Sequence, residues 1–89
     1  MAYDVQFTGP ARRALQRIPP RIAPAIIEFA FGDLAREPHR VGKPLERELT
    51  GLFGACRGPY RLLYRRIDDE AKCVYIVHID HRSDVYRPR

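Results

Sequence analysis

Arginine, histidine and tyrosine side chains recur within and just after the most strand-like segments in the second half of the chain. An arginine guanidinium matches a phosphate group with two parallel hydrogen bonds, and a strand holds such a side chain rigidly. Histidine exchanges protons near neutral pH, and tyrosine stacks on a base or donates a hydrogen bond. These residue types predict a sheet face that meets a phosphate backbone beside groups capable of proton transfer.

The sequence YRLLYRRI, at residues 60–67, carries the first part of this pattern. In a strand, alternation puts Arg61, Leu63 and Arg65 on one face and Leu62 with the two tyrosines on the other. The aromatic and apolar face suits packing against helices, so the arginine face is expected to point outward. The alternative is that Arg61 pairs with an acidic side chain of a neighbouring strand.

The final strand is predicted over residues 72–79, with His81, Arg82 and Tyr86 just beyond its end. Alternation divides this strand into two faces, which hold Val74, Ile76 and His78 on one side and Tyr75, Val77 and Ile79 on the other. If the sheet ends in register, the residues beyond it lie close to the outward face of the preceding strand. A cation, an imidazole and a phenol grouped in this way suit cleavage of RNA by its own 2′-hydroxyl. The alternative is a polar loop that is simply solvated.

Composition limits the class of protein. The chain has 89 residues and is expected to form one domain over residues 1–89, and its net charge of +5 favours a nucleic acid or an acidic protein as partner. The alternative is a merely basic surface. No apolar run long enough for a membrane span and no secretory signal are visible, so a cytoplasmic location without a membrane partner is expected. Cys56 and Cys73 are predicted to be free thiols.

Neither a metal nor another cofactor is expected. Alternation separates His81 from His78 and Asp80, and no CxxC or HxxxH spacing occurs.

The hydrophobic pattern predicts the order strand, helix, helix and then three strands. The first strand covers residues 3–8, with Thr8 capping an amphipathic helix over residues 11–18. A second helix is expected over residues 21–36, and a polar connection with a short strand or turn near residues 45–49. Strands follow at residues 52–57, 60–67 and 72–79, with a hairpin turn at residues 68–70. The predicted fold is α+β: a small, largely antiparallel sheet of about four strands with an N-terminal helical hairpin packed on one face.

Five blocks of sequence, taken in order, resemble the RelE family of bacterial toxins within the RelE/ParE superfamily, and actinobacterial members most. They are VQFT followed by ARRAL and IP at the start, PHRVGKPL at residues 38–45, LTGL at residues 49–52, RGPYRLLY at residues 57–64 and HRSDVY at residues 81–86. The resemblance covers nearly the whole chain. It implies a RelE-like fold and the toxin of a type II toxin–antitoxin system.

The resemblance also implies an activity and partners. Such a toxin enters the ribosomal A site and cuts mRNA without a metal, leaving a 2′,3′-cyclic phosphate. A cognate acidic antitoxin neutralises the toxin, and operator DNA is bound only through that antitoxin. Two alternatives stay open, namely a ParE-like poison of DNA gyrase and a degenerate module that only engages an antitoxin and its operator.

The resemblance carries roles onto particular residues of this chain. Arg61 is expected to contact the scissile phosphate, with Arg82 as a second arginine of the site. Tyr86 is expected to stack on or orient the reacting nucleotide, and His81 is the candidate for proton transfer. The RNA-binding residues are expected to be Lys43, Arg57 and Arg65. Leu52, Gly54 and Cys56 depart from the family pattern, because relatives often carry cations there.

Overall fold

The structure is a computed structural model that describes residues 2–65 and 68–81. Within these residues, five strands form one sheet in the order β1-β5-β4-β3-β2. The strands are β1 Asp4–Phe7, β2 Lys43–Pro44, β3 Leu52–Arg57, β4 Tyr60–Arg65 and β5 Cys73–His81. β1 runs parallel to β5, and the other neighbouring pairs are antiparallel. The predicted α+β fold with a largely antiparallel sheet is confirmed. The sheet is larger than predicted because the two-residue strand β2 extends its edge.

Two consecutive helices follow β1, as the hydrophobic pattern predicts. They are α1 Gly9–Arg17 and α2 Ala23–Phe29, and α2 continues as a π-helical turn over Ala30–Leu34. This turn contains Gly32, whose low helix propensity lowers the cost of leaving α geometry. A short helix, α3 Pro38–Val41, and a 3₁₀ turn, Arg47–Leu49, lie in the connection, so not all helical structure is N-terminal. No helix in the described part of the chain is long and apolar enough to cross a bilayer.

Thr8 precedes α1 as expected, but its hydroxyl does not cap the helix. The Thr8 Oγ1 atom donates to the backbone carbonyl of Ile76 at 3.0 Å and lies 3.4 Å from that of Val77. The reason is the parallel pairing of β1 with β5, which brings Thr8 against β5 before the helix begins. The predicted cap is therefore wrong, and Thr8 instead joins the end of β1 to β5.

An irregularity in the pairing of β4 with β5 decides which way the end of β5 faces. Tyr64 lies opposite Ile76, whereas Leu63 lies opposite His78, so Val77 is an extra residue in β5. A bulge of this kind reverses the alternation beyond it. Ile79 consequently joins the core. The prediction that His78 shares a face with Ile76 is wrong for this reason.

The hairpin that joins β4 to β5 closes near its predicted position. Asp68 and Cys73 exchange two backbone hydrogen bonds of 3.0 Å each. Cys73 is buried, Cys56 is exposed, and both thiols are free as predicted.

Tyr64 anchors the connection to the sheet. The side chain is fully buried, its hydroxyl donates to the backbone carbonyl of Pro38 at 2.6 Å, and its ring stacks on Phe53 with centroids 5.6 Å apart. Gly42 lies against the same hydroxyl so closely that a Cβ atom at this position would overlap the Tyr64 oxygen. Residue 42 must therefore lack a side chain for Tyr64 to keep its place.

Replacing Gly42 with alanine should destabilise the protein. We expect Gly42→Ala to lower the free energy of unfolding by roughly 2–4 kcal/mol, because the new methyl group overpacks the core and displaces the Tyr64 hydroxyl from its acceptor. Gly32→Ala is the matched control, since a Cβ atom there meets nothing within 4 Å. It should leave stability unchanged or raise it by up to ~1 kcal/mol. Urea unfolding of the two variants measures both effects, and equal stabilities would contradict the packing described.

Burial of Tyr64 should make stability depend on alkaline pH. Burial raises the pKa of the Tyr64 hydroxyl from 10.0 to about 12. The folded state holds this proton more tightly than the unfolded chain, so the stabilisation is complete below pH 10 and is lost as the pH rises toward 12. The stability advantage of wild type over Tyr64→Phe should therefore shrink by roughly 2 kcal/mol across that interval. A difference in unfolding free energy that stays constant with pH would contradict this account.

Candidate functional site

The face of the sheet that lies opposite the core, called the outer face, gathers charged residues of several strands. Cross-strand pairing places Arg61 beside Cys56 on β3 and Asp80 on β5. Residues directly opposite each other in a sheet share a face. The outer face includes Asp4, Gln6, Lys43, Leu52, Gly54, Cys56, Arg61, Leu63, Arg65, Tyr75, His78 and Asp80.

Asp80 contacts two other side chains of this face, Arg61 and His78. Its Oδ1 atom lies 2.8 Å from His78 Nε2, and its Oδ2 atom lies 3.5 Å from Arg61 Nη2. The side chains of Asp80 and Arg61 are only 20% and 23% exposed, whereas that of His78 is 44% exposed. The structure therefore agrees with the alternative interpretation, in which Arg61 pairs with a carboxylate of the neighbouring strand. At 3.5 Å, however, this contact is long for a charged hydrogen bond.

Gly54 allows the Arg61 side chain to lie across β3. A Cβ atom at Gly54 would stand 3.3 Å from Arg61 Cδ and 3.4 Å from Leu45 Cδ2, which is tighter than ordinary contact. The buried Arg61 Nε has no hydrogen-bond partner among the described residues. An unsatisfied buried donor costs about 1–3 kcal/mol, so the position of the Arg61 side chain carries an energetic cost.

Two other predicted cations share the outer face with Arg61. Lys43 is exposed and lies opposite Gly54, on the β2 edge of the sheet. Arg65 lies with its guanidinium carbon 5.1 Å from the centre of the Tyr75 ring. Arg65 also borders a hollow of about 960 Å³ whose lining includes the acidic residues Asp68, Asp69 and Glu70. The structure brings Arg61, Lys43 and Arg65 to one face, with Arg65 at its acidic end.

Arg57 and His81 lie on the core side of the sheet. Both are paired with Tyr60, whose strand neighbour Leu62 is part of the core. Arg57 borders a cleft of about 420 Å³ beside α2, together with Glu28 and Asp33 among others. The His81 ring meets the Tyr60 ring edge-on, with centroids 5.0 Å apart. In contrast to the prediction, the structure does not bring these two side chains together with Arg61.

The remaining predicted site residues lie elsewhere. Arg82 and Tyr86 are outside the described residues, and their roles stay predictions. Sequence reasoning missed the position of His78 on the outer face. The spacing of His78 and Asp80, two residues apart in a strand, could have predicted that they share a face. The bulge that puts both on the face of Arg61 could not be predicted from the sequence. Residues 2–65 and 68–81 hold no group of three or more His, Cys, Asp or Glu side chains suited to a metal ion.

Comparison with known proteins settles the family. The model of the ParE toxin of the type II toxin–antitoxin system parDE matches residues 5–86. The chain is 64% identical to Toxin RelG of Mycobacterium tuberculosis over 98% of this chain and 99% of that protein. The chain belongs to the RelE family of type II toxins.

Further similarities support this membership. This RelE-family chain is 52% identical to Toxin RelE of the same organism, over 96% of this chain and 87% of that protein. Among solved structures, it resembles the toxin–antitoxin complex RelBE2 from M. tuberculosis with a TM-score of 0.86 and 63% identity. That match covers 92% of this chain and 100% of the other.

The strength of the Arg61–Asp80 contact can be measured directly. In a double-mutant cycle with Arg61→Gln and Asp80→Asn, we expect a coupling free energy of about 0.5–1 kcal/mol, because the contact is long and water reaches both side chains. Urea unfolding of wild type, the two single variants and the double variant gives this value. A coupling above roughly 3 kcal/mol would mean that Arg61 is committed to Asp80 and is not available to a phosphate.

Proposed function

We propose that this toxin is a ribosome-dependent endoribonuclease that cleaves mRNA in the A site and thereby inhibits translation. The reaction is attack of a 2′-hydroxyl on the adjacent phosphate without a metal ion, which leaves a 2′,3′-cyclic phosphate. A cognate acidic antitoxin neutralises the toxin, and operator DNA is reached only through that antitoxin.

The observation that carries this proposal is the composition of the outer face. Arg61 is held by the sheet and shares the outer face with Lys43 on β2 and Arg65 farther along β4. A phosphate carries a full negative charge and offers several acceptor oxygens, so it can compete with the 3.5 Å contact to Asp80. Preorganised cations of this kind stabilise the charge that develops on a phosphate during transfer.

The antitoxin is supported by surface chemistry and by a relative. The chain has a net charge of +5, which favours an acidic partner. Ile27 and Phe31 on the helical layer are 37% and 55% exposed, and Phe31 packs on Phe7 with ring centroids 5.9 Å apart. Exposed apolar side chains of this size favour coverage by another protein. The similar M. tuberculosis structure is itself a toxin–antitoxin complex.

A second candidate function is poisoning of DNA gyrase. Two observations favour it. The family model that matches this chain is that of the ParE toxin, and the Arg61 guanidinium contacts the Asp80 carboxylate, which competes with a phosphate for it. Both candidate functions belong to toxins that are neutralised by an antitoxin, so the two differ only in their cellular target.

Induction of the protein in bacteria, followed by mapping of 5′ ends on translated messages, tests the proposal. Wild type should produce cuts within codons in the reading frame. Arg61→Ala should reduce cutting by roughly 10²–10³-fold, because a group that stabilises the transition state is lost. The matched control is Arg12→Ala, which removes the same charge from the exposed side of α1 and should cut as wild type does.

The other outcomes are equally informative. Filamentation and DNA damage without message cleavage would replace the nuclease with a gyrase poison. Absence of any growth defect from a folded, expressed protein would indicate a module that only engages an antitoxin.

A further inference from the structure

We propose that His78 is the catalytic residue that accepts the 2′-hydroxyl proton, and that Asp80 is the positioning residue that holds its imidazole. This inference rests on the proposed ribonuclease function and names the proton carrier at that site. It also replaces the role predicted for His81 from the sequence.

The close contact between the two side chains indicates which ring nitrogen is available. An ionised carboxylate has no hydrogen to donate, so the 2.8 Å approach of Asp80 Oδ1 to His78 Nε2 is favourable when Nε2 carries the hydrogen. In the neutral imidazole the other nitrogen, Nδ1, then carries the lone pair. Holding one tautomer in this way is what an acidic partner does for a histidine base in hydrolytic triads. The side chain is 44% exposed, so a substrate can reach it.

The same carboxylate ties the histidine to the phosphate-binding group. Asp80 contacts His78 with one oxygen and Arg61 with the other, and the three side chains lie together on the outer face. The guanidinium and the imidazole are therefore set relative to each other by one rigid strand pair. Arg61 lies opposite Asp80, and His78 lies two residues away from Asp80 on the same strand. A phosphodiester bound at Arg61 would therefore have its adjacent ribose close to His78.

The chemical step is balanced with these groups. His78 Nδ1 takes the proton of the 2′-hydroxyl while the 2′ oxygen forms a bond to phosphorus. The bond from phosphorus to the 5′ oxygen breaks, the 5′ oxygen leaves with the electron pair, and it takes a proton from water. Arg61 neutralises the charge on the phosphate oxygens during this exchange. The imidazolium then returns its proton to water.

The other two histidines of the chain are placed differently. The His39 side chain, in α3, lies 2.8 Å from Asp69 Oδ1, and that hydrogen bond is the main reason that the pKa of Asp69 is held below its ordinary value. The His81 ring packs on Tyr60 on the core side of the sheet. Of the three histidines, the structure puts His78 on the face that bears Arg61.

Single-turnover cleavage of a message on programmed ribosomes tests the assignment. His78→Gln should lower the cleavage rate by about 10²–10⁴-fold with little change in ribosome affinity, because a general base contributes on that order. His78→Ala should show the same loss and be partly restored by added imidazole, which a structural role would not produce. His39→Gln is the matched control and should cleave at the wild-type rate.

Asp80→Asn tests the positioning role separately. The amide no longer enforces the tautomer, so the maximal rate should fall by roughly 10-fold or more. The half-saturating concentration of ribosomes should not rise, because Arg61 loses only a competing contact. Thermal unfolding of each variant shows whether it is folded.

The outcomes separate this proposal from the one on which it rests. If wild type cleaves no message on ribosomes, the nuclease function falls and the proton carrier falls with it. If wild type cleaves and His78→Gln cleaves equally fast, only the assignment of His78 is overturned. A folded His78→Ala variant that imidazole does not restore, together with a slow His81→Gln variant, would return the role to His81.

Discussion

The extra residue in β5 is the constraint on which the arrangement of the outer face depends. Val77 has no counterpart on β4, so the side chains beyond it change faces relative to those before it. Ile79 turns into the core and completes it, while His78 and Asp80 turn outward. Without the bulge, the imidazole would be buried under the helices and an isoleucine would lie beside Arg61. The hydroxyl of Thr8, shared between two carbonyls at this point of β5, links β1 to the same irregularity.

The outer face carries several positive charges and places a negative charge beside one of them. Arg61, Lys43 and Arg65 provide three positive charges on this face, and Asp80 provides a negative one beside Arg61. The carboxylate lowers the local positive potential, but its 3.5 Å contact with Arg61 is long for a charged hydrogen bond and leaves the guanidinium open to competition. In the proposed nuclease reaction, a substrate phosphate must compete with Asp80 for Arg61.

The core and the connection support this face from behind. Tyr64 is a core-facing residue of β4, between Leu63 and Arg65 of the outer face in sequence. Its hydroxyl donates a hydrogen bond to the Pro38 carbonyl. The absence of a side chain at Gly42 permits that hydrogen bond, and Phe53 packs on the ring from β3. β4 is therefore held through its core-facing residues, which gives the outward-facing Arg61 a rigid base.

Periodicity made the elements predictable. The alternation in β1 and the apolar spacing of α1 located both elements, and residues 52–57 and 60–65 form strands where expected. Alternation also assigned Arg61 and Arg65 to the face away from the core. The parallel pairing of β1 with β5 could not be read from spacing, because it depends on which strand lies nearest after the helices pack.

The sequence by itself determined the family, the elements and the residue types of the site, since these depend on local spacing and on ordered blocks of residues. Only the tertiary structure decided which of those residues meet. One inserted residue moved His78 to the outer face, and the pairing of Tyr60 left Arg57 and His81 on the core side. The physical reason is that side chains alternate with a period of two residues, so a single extra residue reverses every assignment beyond it.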